Sequence, residues 1–184
     1  GMVHLAWRNE IYVDIGPCND PNLKMRRIFN GKQTIFIDCD DYSASGWSAW
    51  NLDKFTFVHA KATPDTIVDL INAVYDSKGI IKNTDPQLLD IDIDGYDAHV
   101  LEALLEKMTP AVICAEINEK IPPPINFSVK YSPEYSWKVD HFYGMSLIKF
   151  YDIVRKHGYA VVYLNGNTVY AVAPGRLLDM ASRH

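Results

Sequence analysis

The chain has 184 residues, which is enough for one domain with its own core but too few for a second full domain. Apolar residues make up 48% of it and charged residues 22%, as in an ordinary folded domain, and the net charge is -5. A negative chain is not expected to bind nucleic-acid phosphates or an anionic membrane. No apolar run reaches the roughly 18 residues that span a bilayer.

The cysteines and the first residues favour a reducing, cytoplasmic location. Cys18, Cys39 and Cys114 are widely spaced and form no C-x-x-C pair, which argues against a disulfide framework and against a cysteine zinc site. No signal-peptide core follows Met2, and a glycine before that methionine is typical of a cleaved tag. We therefore expect a single cytoplasmic domain over residues 1–184.

Strand and helix patterns alternate along the chain. The predicted strands are β-branched or aromatic runs, in chain order Ile11–Gly16, Thr34–Ile37, Phe55–His59, Leu88–Ile93, Ala111–Ile117, and a hairpin of Tyr159–Leu164 with Thr168–Ala173. The predicted helices are Leu23–Phe29, a helix that opens at Thr63-Pro64, Ala98–Lys107 and Met145–His157. A Pro-rich insertion at about 120–143 follows the fifth strand and has the length of an active-site flap.

This order predicts an α/β fold, a three-layer Rossmann-like sandwich around a mostly parallel, seven-stranded sheet with one antiparallel edge strand. In open sheets of this kind, ligands bind outside the carboxyl ends of the strands. The residues that end each predicted strand are therefore the candidates for a functional site.

The first two strand ends are typical of a site for a nucleotide-like ligand. The first strand ends in a glycine turn that precedes a predicted helix, which allows a ligand to approach the backbone. The second ends in acids, and a carboxylate about 20 residues after the glycine can accept both hydroxyls of a ribose. A solvated acidic loop is the simpler alternative. The predicted cofactor contacts at these ends are Asp14, Gly16, Pro17, Asp38 and Asp40.

The fourth strand carries an unusual run of acids, Asp90-Ile91-Asp92-Ile93-Asp94. The period of a strand predicts all three carboxylates on one face. Stacked carboxylates are costly unless they are paired, hydrogen-bonded or metal-bound. We expect Asp94 to reach a substrate as a catalytic residue and Asp92 to contact the cofactor side. Capping of neighbouring loops by Asp90 and Asp92 is the structural alternative.

The fifth strand and the insertion supply the remaining candidates. Glu116 and Asn118 end the strand, and we predict a catalytic role for the first and a substrate contact for the second. His141 is the one histidine in the insertion and could act as a general base near neutral pH, although a lone histidine is more often structural. The aromatic residues predicted to cover a substrate are Tyr131, Trp137 and Tyr143.

These residues together resemble the class I S-adenosylmethionine-dependent methyltransferases, and within them the FkbM-like group. The run from Leu88 to Asp97, followed by Val100-Leu101, is similar to the signature of that group. Glu116-Ile117-Asn118 resembles its fifth-strand ending, and the segment from Ile121 to Leu147 is similar to a set of bacterial relatives. The resemblance extends from about Ile11 to Ala173.

The resemblance implies that S-adenosylmethionine lies across the first two strand ends. Asp14 and Gly16 then match the glycine-rich turn of the family, and Asp38 matches its ribose-binding acid. The sequence departs from the family where further glycines are usual, because those positions hold Cys18 and Asp20. Bulk at Cys18 and charge at Asp20 predict an altered or weakened contact with the cofactor.

The resemblance also implies methyl transfer to an oxygen of a small or sugar-like acceptor, with Asp94, Glu116 or His141 removing the hydroxyl proton. Two alternatives stay open. One is a metal-dependent transferase, in which Asp92, Asp94, Glu116 and His141 bind Mg²⁺ or Mn²⁺. The other is a binding or scaffold module without catalysis. The sequence leaves the oligomeric state open.

Overall fold

The computed structural model describes residues 11–17, 33–40 and 54–175, and its centre is a mixed sheet. In these ranges the sheet has seven strands in the order β3-β2-β1-β4-β5-β7-β6. Their bounds are β1 Ile11–Ile15, β2 Gln33–Asp38, β3 Phe55–His59, β4 Leu88–Ile91, β5 Val112–Glu116, β6 Ala160–Asn165 and β7 Thr168–Val172. The first five strands pair in parallel, and β7 runs antiparallel to β5 and to β6.

The order of the strands confirms the predicted α/β fold with a mostly parallel, seven-stranded sheet. Its first part is the 3-2-1-4-5 order of doubly wound nucleotide-binding sheets, and β7 is inserted between β5 and β6. The antiparallel strand is thus one position inside the edge, and β6 forms the edge itself. The predicted hairpin is present, with a turn that contains Gly166 at φ +60°.

Three helices in the described ranges pack on one face of the sheet. They are α1 Ile67–Ser77, α2 Asp97–Leu105 and α3 Leu147–Lys156, and their buried residues join one core with alternate residues of the strands, such as Val13, Leu89 and Ile113. None of these helices has the length and apolar character to cross a bilayer. The helix predicted at Leu23–Phe29 lies outside the described residues.

The prediction that the fourth strand continues to Ile93 is wrong. β4 ends at Ile91, so Asp92 and Asp94 lie beyond the strand in the segment that follows it. Asp90 alone lies in the strand, in register with Asp14 of β1 and Cys114 of β5.

The chain turns away from the direction of β4 because a side chain at the start of α2 binds backbone N–H groups that follow the strand. The carboxylate of Asp97 accepts the N–H groups of Ile93 and Gly95, each at 2.9 Å. Asp94 between them adopts φ +54°, a left-handed conformation that aspartate tolerates better than most residues. The resulting β4–α2 turn presents Asp92 and Asp94 at the carboxyl edge of the sheet.

The turn after β1 depends on a glycine at position 16. Gly16 has φ +80°, and its N–H donates to the carbonyl of Ile37 at 2.9 Å. The N–H of Asp92 donates to the carbonyl of Ile15, also at 2.9 Å. A Cβ at Gly16 would lie 1.8 Å from the carbonyl oxygen of Asp92. The ends of β1, β2 and β4 meet here with no room for a side chain.

The insertion between β5 and α3 is closed at its base. Ser128 and Met145 form an antiparallel bridge, and the N–H of Val129 donates to the carbonyl of Gly144 at 3.0 Å. Ser146, the N-cap of α3, donates its hydroxyl to the carbonyl of Ile125 at 2.8 Å and accepts the N–H of Phe127 at 3.0 Å. The two ends of the segment between Val129 and Gly144 are therefore held together.

Gly16→Ala should destabilise the fold far more than a glycine substitution in open space. We expect a loss of about 2–5 kcal/mol, because strain at positive φ and a clash with backbone add together. Gly79→Ala is the matched control, since Gly79 has φ +68° and no atom near its missing Cβ; it should cost about 1–2 kcal/mol. Urea unfolding measures both, and equal losses would contradict the close approach.

Candidate functional site

A cleft of about 570 Å³ lies at the carboxyl ends of β1, β2 and β4, with part of the insertion as one wall. Its size is within the range of roughly 300–1,000 Å³ that is usual for small-molecule sites. Six residues predicted from the sequence line this cleft: Gly16, Asp38, Asp40, Asp92, Asp94 and Trp137. The structure thus brings the acids of β2 and of the β4–α2 turn to one site.

The acid that ends β2 is buried and held in place by its own backbone. Asp38 is 9% exposed, and its Oδ1 accepts the N–H of Asp40 at 2.9 Å. Burial is the largest cause that raises the pKa of Asp38, and the charge of Asp40 adds to it, while the backbone hydrogen bonds oppose it. The side chain is therefore fixed at the cleft before any ligand arrives.

Three carboxylates cluster on the β4 side. Asp92, Asp94 and Glu116 each have an oxygen within 4.8 Å of the others. Burial raises the pKa of Asp94, and the nearby charge of Asp92 raises it further. A carboxylate whose pKa moves toward neutrality is a better general base than an ordinary aspartate.

Glu116 does not line the cleft itself, but its carboxyl group lies next to Asp92, which does. Burial, and then the charge of Asp92 and a hydrogen bond with it, raise the pKa of Glu116 to about 8. The raised pKa means that Glu116 keeps its proton to a higher pH than an ordinary glutamate does, next to the charge of Asp92. Its Oε1 also accepts the amide of Asn167, from the β6–β7 turn, at 2.5 Å. The catalytic role predicted for Glu116 stays a prediction, and the structure places its side chain beside Asp92 and Asp94.

Sequence reasoning assigned no role to Asp97, which holds the β4–α2 turn. Asp97 is 1% exposed, and burial raises its pKa to about 6 even though its backbone hydrogen bonds act in the opposite direction. The available signal was its position as an acid at the start of a predicted helix, where backbone N–H groups need acceptors.

Lys61 was also missed, and it ties the insertion to the cleft. Its ammonium donates to the carbonyls of Pro133 and Tyr135, at 2.5 and 3.1 Å, and lies 5.8 Å from the centre of the Tyr96 ring. A Cβ at Gly95 would lie 3.0 Å from the ring of Tyr135. The segment 135–137 is therefore held against the β4–α2 turn, and Tyr96, Tyr135 and Lys61 line the cleft.

Three residues predicted to act on a substrate have other positions. Asn118 is fully buried, and its amide donates to the carbonyls of His141 and Tyr143 at 2.8 and 3.1 Å, so it anchors the insertion instead of lining the cleft. The His141 side chain is exposed and does not line the cleft. Tyr143 is buried, and its hydroxyl donates to Glu119 at 2.7 Å.

The remaining predicted residues lie behind the cleft wall or in the sheet. Tyr131 packs edge-on against Tyr96, with ring centres 5.0 Å apart, and donates its hydroxyl to Asp65 at 3.1 Å. Asp14 and Pro17 are buried and do not line the cleft. Their positions therefore do not favour direct contact with a cofactor. Cys18 and Asp20, where the sequence departs from the family pattern, lie outside the described residues.

Comparison with solved structures finds remote likenesses. The chain is similar to the glycopeptide N-methyltransferase MtfA complexed with S-adenosylmethionine, at 10% identity and a TM-score of 0.48 over 92% of this chain and 90% of that one. It is also similar to the antibiotic-resistance methyltransferase Kmr, at 15% identity and a TM-score of 0.41 over 90% of this chain and 87% of that one. At such values the likeness assigns no function. No protein-family model matches the sequence, and no curated protein matches it.

The raised pKa of Glu116 predicts a pH-dependent stability. Its ordinary pKa is 4.5, so between about pH 4.5 and 8 the folded state binds a proton that the unfolded state has lost. The stabilisation is fully present below that window and disappears as the pH rises through about 8. We expect Glu116→Gln to reduce the fall in Tm between about pH 5 and 9 by a few degrees, since about 1 kcal/mol corresponds to about 2–4 °C. The same fall in Tm with pH for the wild type and the variant would contradict this prediction.

Proposed function

We propose that the protein is an S-adenosylmethionine-dependent methyltransferase that acts on a hydroxyl of a small molecule. The observation that carries the proposal is that Gly16, Asp38 and the pair Asp92 and Asp94 line the same cleft. A tight turn, an acid after the second strand and a second acidic wall suit a nucleoside-bearing donor and an acceptor side by side. On the signature from Leu88 to Asp97, we assign the chain to the FkbM-like group.

The residues of the cleft fit the chemical parts of such a donor. The buried Asp38 carboxylate would accept ribose hydroxyls, with the backbone of Asp40 already fixing its orientation. Ala62 and Ile93 offer apolar surface for an adenine ring. When bound, S-adenosylmethionine would supply an activated methyl group on a positively charged sulfonium. The acidic lining of the cleft is favourable for that charge.

The β4 side of the cleft would prepare the acceptor. In the proposed reaction the acceptor oxygen forms a bond to the methyl carbon, the carbon–sulfur bond breaks with its electrons left on sulfur, and the hydroxyl proton passes to a carboxylate. Asp94 is the base that we assign, because it lines the cleft and its pKa is raised by burial and by Asp92. Glu116 would hold Asp92 in place through their shared proton.

Asp38→Asn should weaken the binding of S-adenosylhomocysteine by about 10–100-fold, since a hydrogen bond to a charged group contributes about 1.5–3 kcal/mol. Isothermal titration calorimetry measures the dissociation constant. Asp69→Asn removes the same charge from an exposed position on α1 and should leave the affinity within about twofold. An unchanged affinity for Asp38→Asn would contradict the ribose assignment.

Asp94→Asn should lower kcat by about 100-fold or more and leave S-adenosylhomocysteine affinity nearly unchanged, because it removes a base without removing a cofactor contact. Asparagine tolerates the left-handed conformation at this position, so the fold is retained. The assay is formation of S-adenosylhomocysteine with hydroxyl-bearing small molecules as acceptors. Full activity of the variant with an acceptor used by the wild type would exclude Asp94 as the base.

A metal-dependent transferase is the second candidate, and one observation favours it. The three carboxylates Asp92, Asp94 and Glu116 have the proximity and the oxygen chemistry that Mg²⁺ and Mn²⁺ prefer. His141 is not part of this group. Thermal melting separates the two candidates: a rise in Tm with S-adenosylhomocysteine alone supports the methyltransferase, and a rise with Mg²⁺ or Mn²⁺ alone supports the metal enzyme. No response to either would favour a scaffold module.

A further inference from the structure

An apolar rim projects from the insertion next to the cleft. It consists of Trp137, Val139 and Phe142, whose exposed fractions are 36%, 80% and 64%. Asp140 organises it, since its carbonyl accepts the indole N–H of Trp137 at 3.1 Å and its Oδ1 accepts the N–H of Phe142 at 2.8 Å. Exposed apolar groups that are held together in this way are typical of a binding surface.

The backbone of the rim is strained in the exposed position. Val139 has φ +58°, a strained conformation that a β-branched residue rarely adopts. Burial does not explain it, because the side chain is four-fifths exposed. Strain that holds an apolar side chain out in water is more readily explained by a ligand than by folding.

The rim is continuous with the cleft. Trp137 belongs to both, and Tyr135, which lines the cleft, donates its hydroxyl to the carbonyl of Phe142 at 3.4 Å. A molecule with its reactive group beside Asp94 could therefore extend onto the rim. The charge of the cleft limits the charge that such a molecule can carry. Among the described residues that line the cleft there are four carboxylates and one cation, Lys61.

We propose that the acceptor is a small amphiphile: an uncharged hydroxyl group enters the cleft, and an aryl or alkyl part lies on the rim of Trp137, Val139 and Phe142. This inference rests on the proposed function and narrows its substrate class. It excludes plain sugars, which have no apolar part for the rim, and it excludes anionic acceptors, which the carboxylates of the cleft repel.

The test uses the full chain saturated with S-adenosylhomocysteine and ligand-detected NMR titrations. The probes are 2-phenylethanol, phenylacetate of similar shape with a negative charge, and glucose without an apolar part. We expect 2-phenylethanol to bind at least about tenfold more tightly than either of the others, because only it satisfies both the rim and the cleft. Equal binding of glucose or phenylacetate would overturn the proposal.

A double variant, Val139→Gly with Phe142→Ser, removes the apolar rim and relieves the positive φ, so it should fold. It should weaken 2-phenylethanol binding by about fivefold or more, since apolar area is lost from the contact. Ile81→Ser is the control, because Ile81 is as exposed as Val139 but belongs neither to the rim nor to the cleft lining. If the double variant binds 2-phenylethanol like the wild type, the rim has no role.

Binding of S-adenosylhomocysteine distinguishes the failure of this inference from the failure of the proposed function. The wild type and both variants should bind it equally, because the rim is outside the proposed cofactor contacts. If the wild type does not bind it, the methyltransferase proposal fails and the acceptor proposal fails with it. If it binds while the probes behave alike, the acceptor proposal alone is wrong.

Discussion

The close approach of the β1 and β4 backbones at Gly16 positions the strand ends that form the floor of the cleft. The carbonyl of Asp92 occupies the space that a side chain at position 16 would need, and two backbone hydrogen bonds join the ends of β1, β2 and β4 at this point. Asp38 is thereby brought to the same edge of the sheet as Asp92. The glycine therefore serves the packing of backbone against backbone, before any contact with a ligand is considered.

Burial of several carboxylates at one edge sets the electrostatics of the site. Burial and the charge of Asp92 raise the pKa of Glu116, and a proton kept on Glu116 reduces the repulsion that three full negative charges so close together would create. Asp97 is stabilised differently, by backbone N–H groups at the start of α2. The protein thus uses a proton in one place and peptide dipoles in another to keep acids in partly buried positions.

The sequence predicted the fold well because the strands carry strong apolar patterns and end in glycine, acids or turns. It also identified the four acids among the described residues that line the cleft, since the carboxyl ends of parallel strands meet at one edge. It failed at β4 because the period of a strand does not reveal that Asp97 captures the backbone of Ile93 and Gly95. Lys61 was missed, and the position of Asn118 was not foreseen, because both depend on contacts with residues of the insertion that are 72 and 23 positions away in sequence.

The charge of the cleft lining has a consequence for how fast ligands arrive. Lys61 is the one cation against four carboxylates among the described residues of the lining, so negative side chains are in excess there. Such a field extends about one Debye length, roughly 10 Å at 0.1 M salt. A positively charged molecule would thus be drawn toward the opening in dilute buffer, and its association would slow as ionic strength rises.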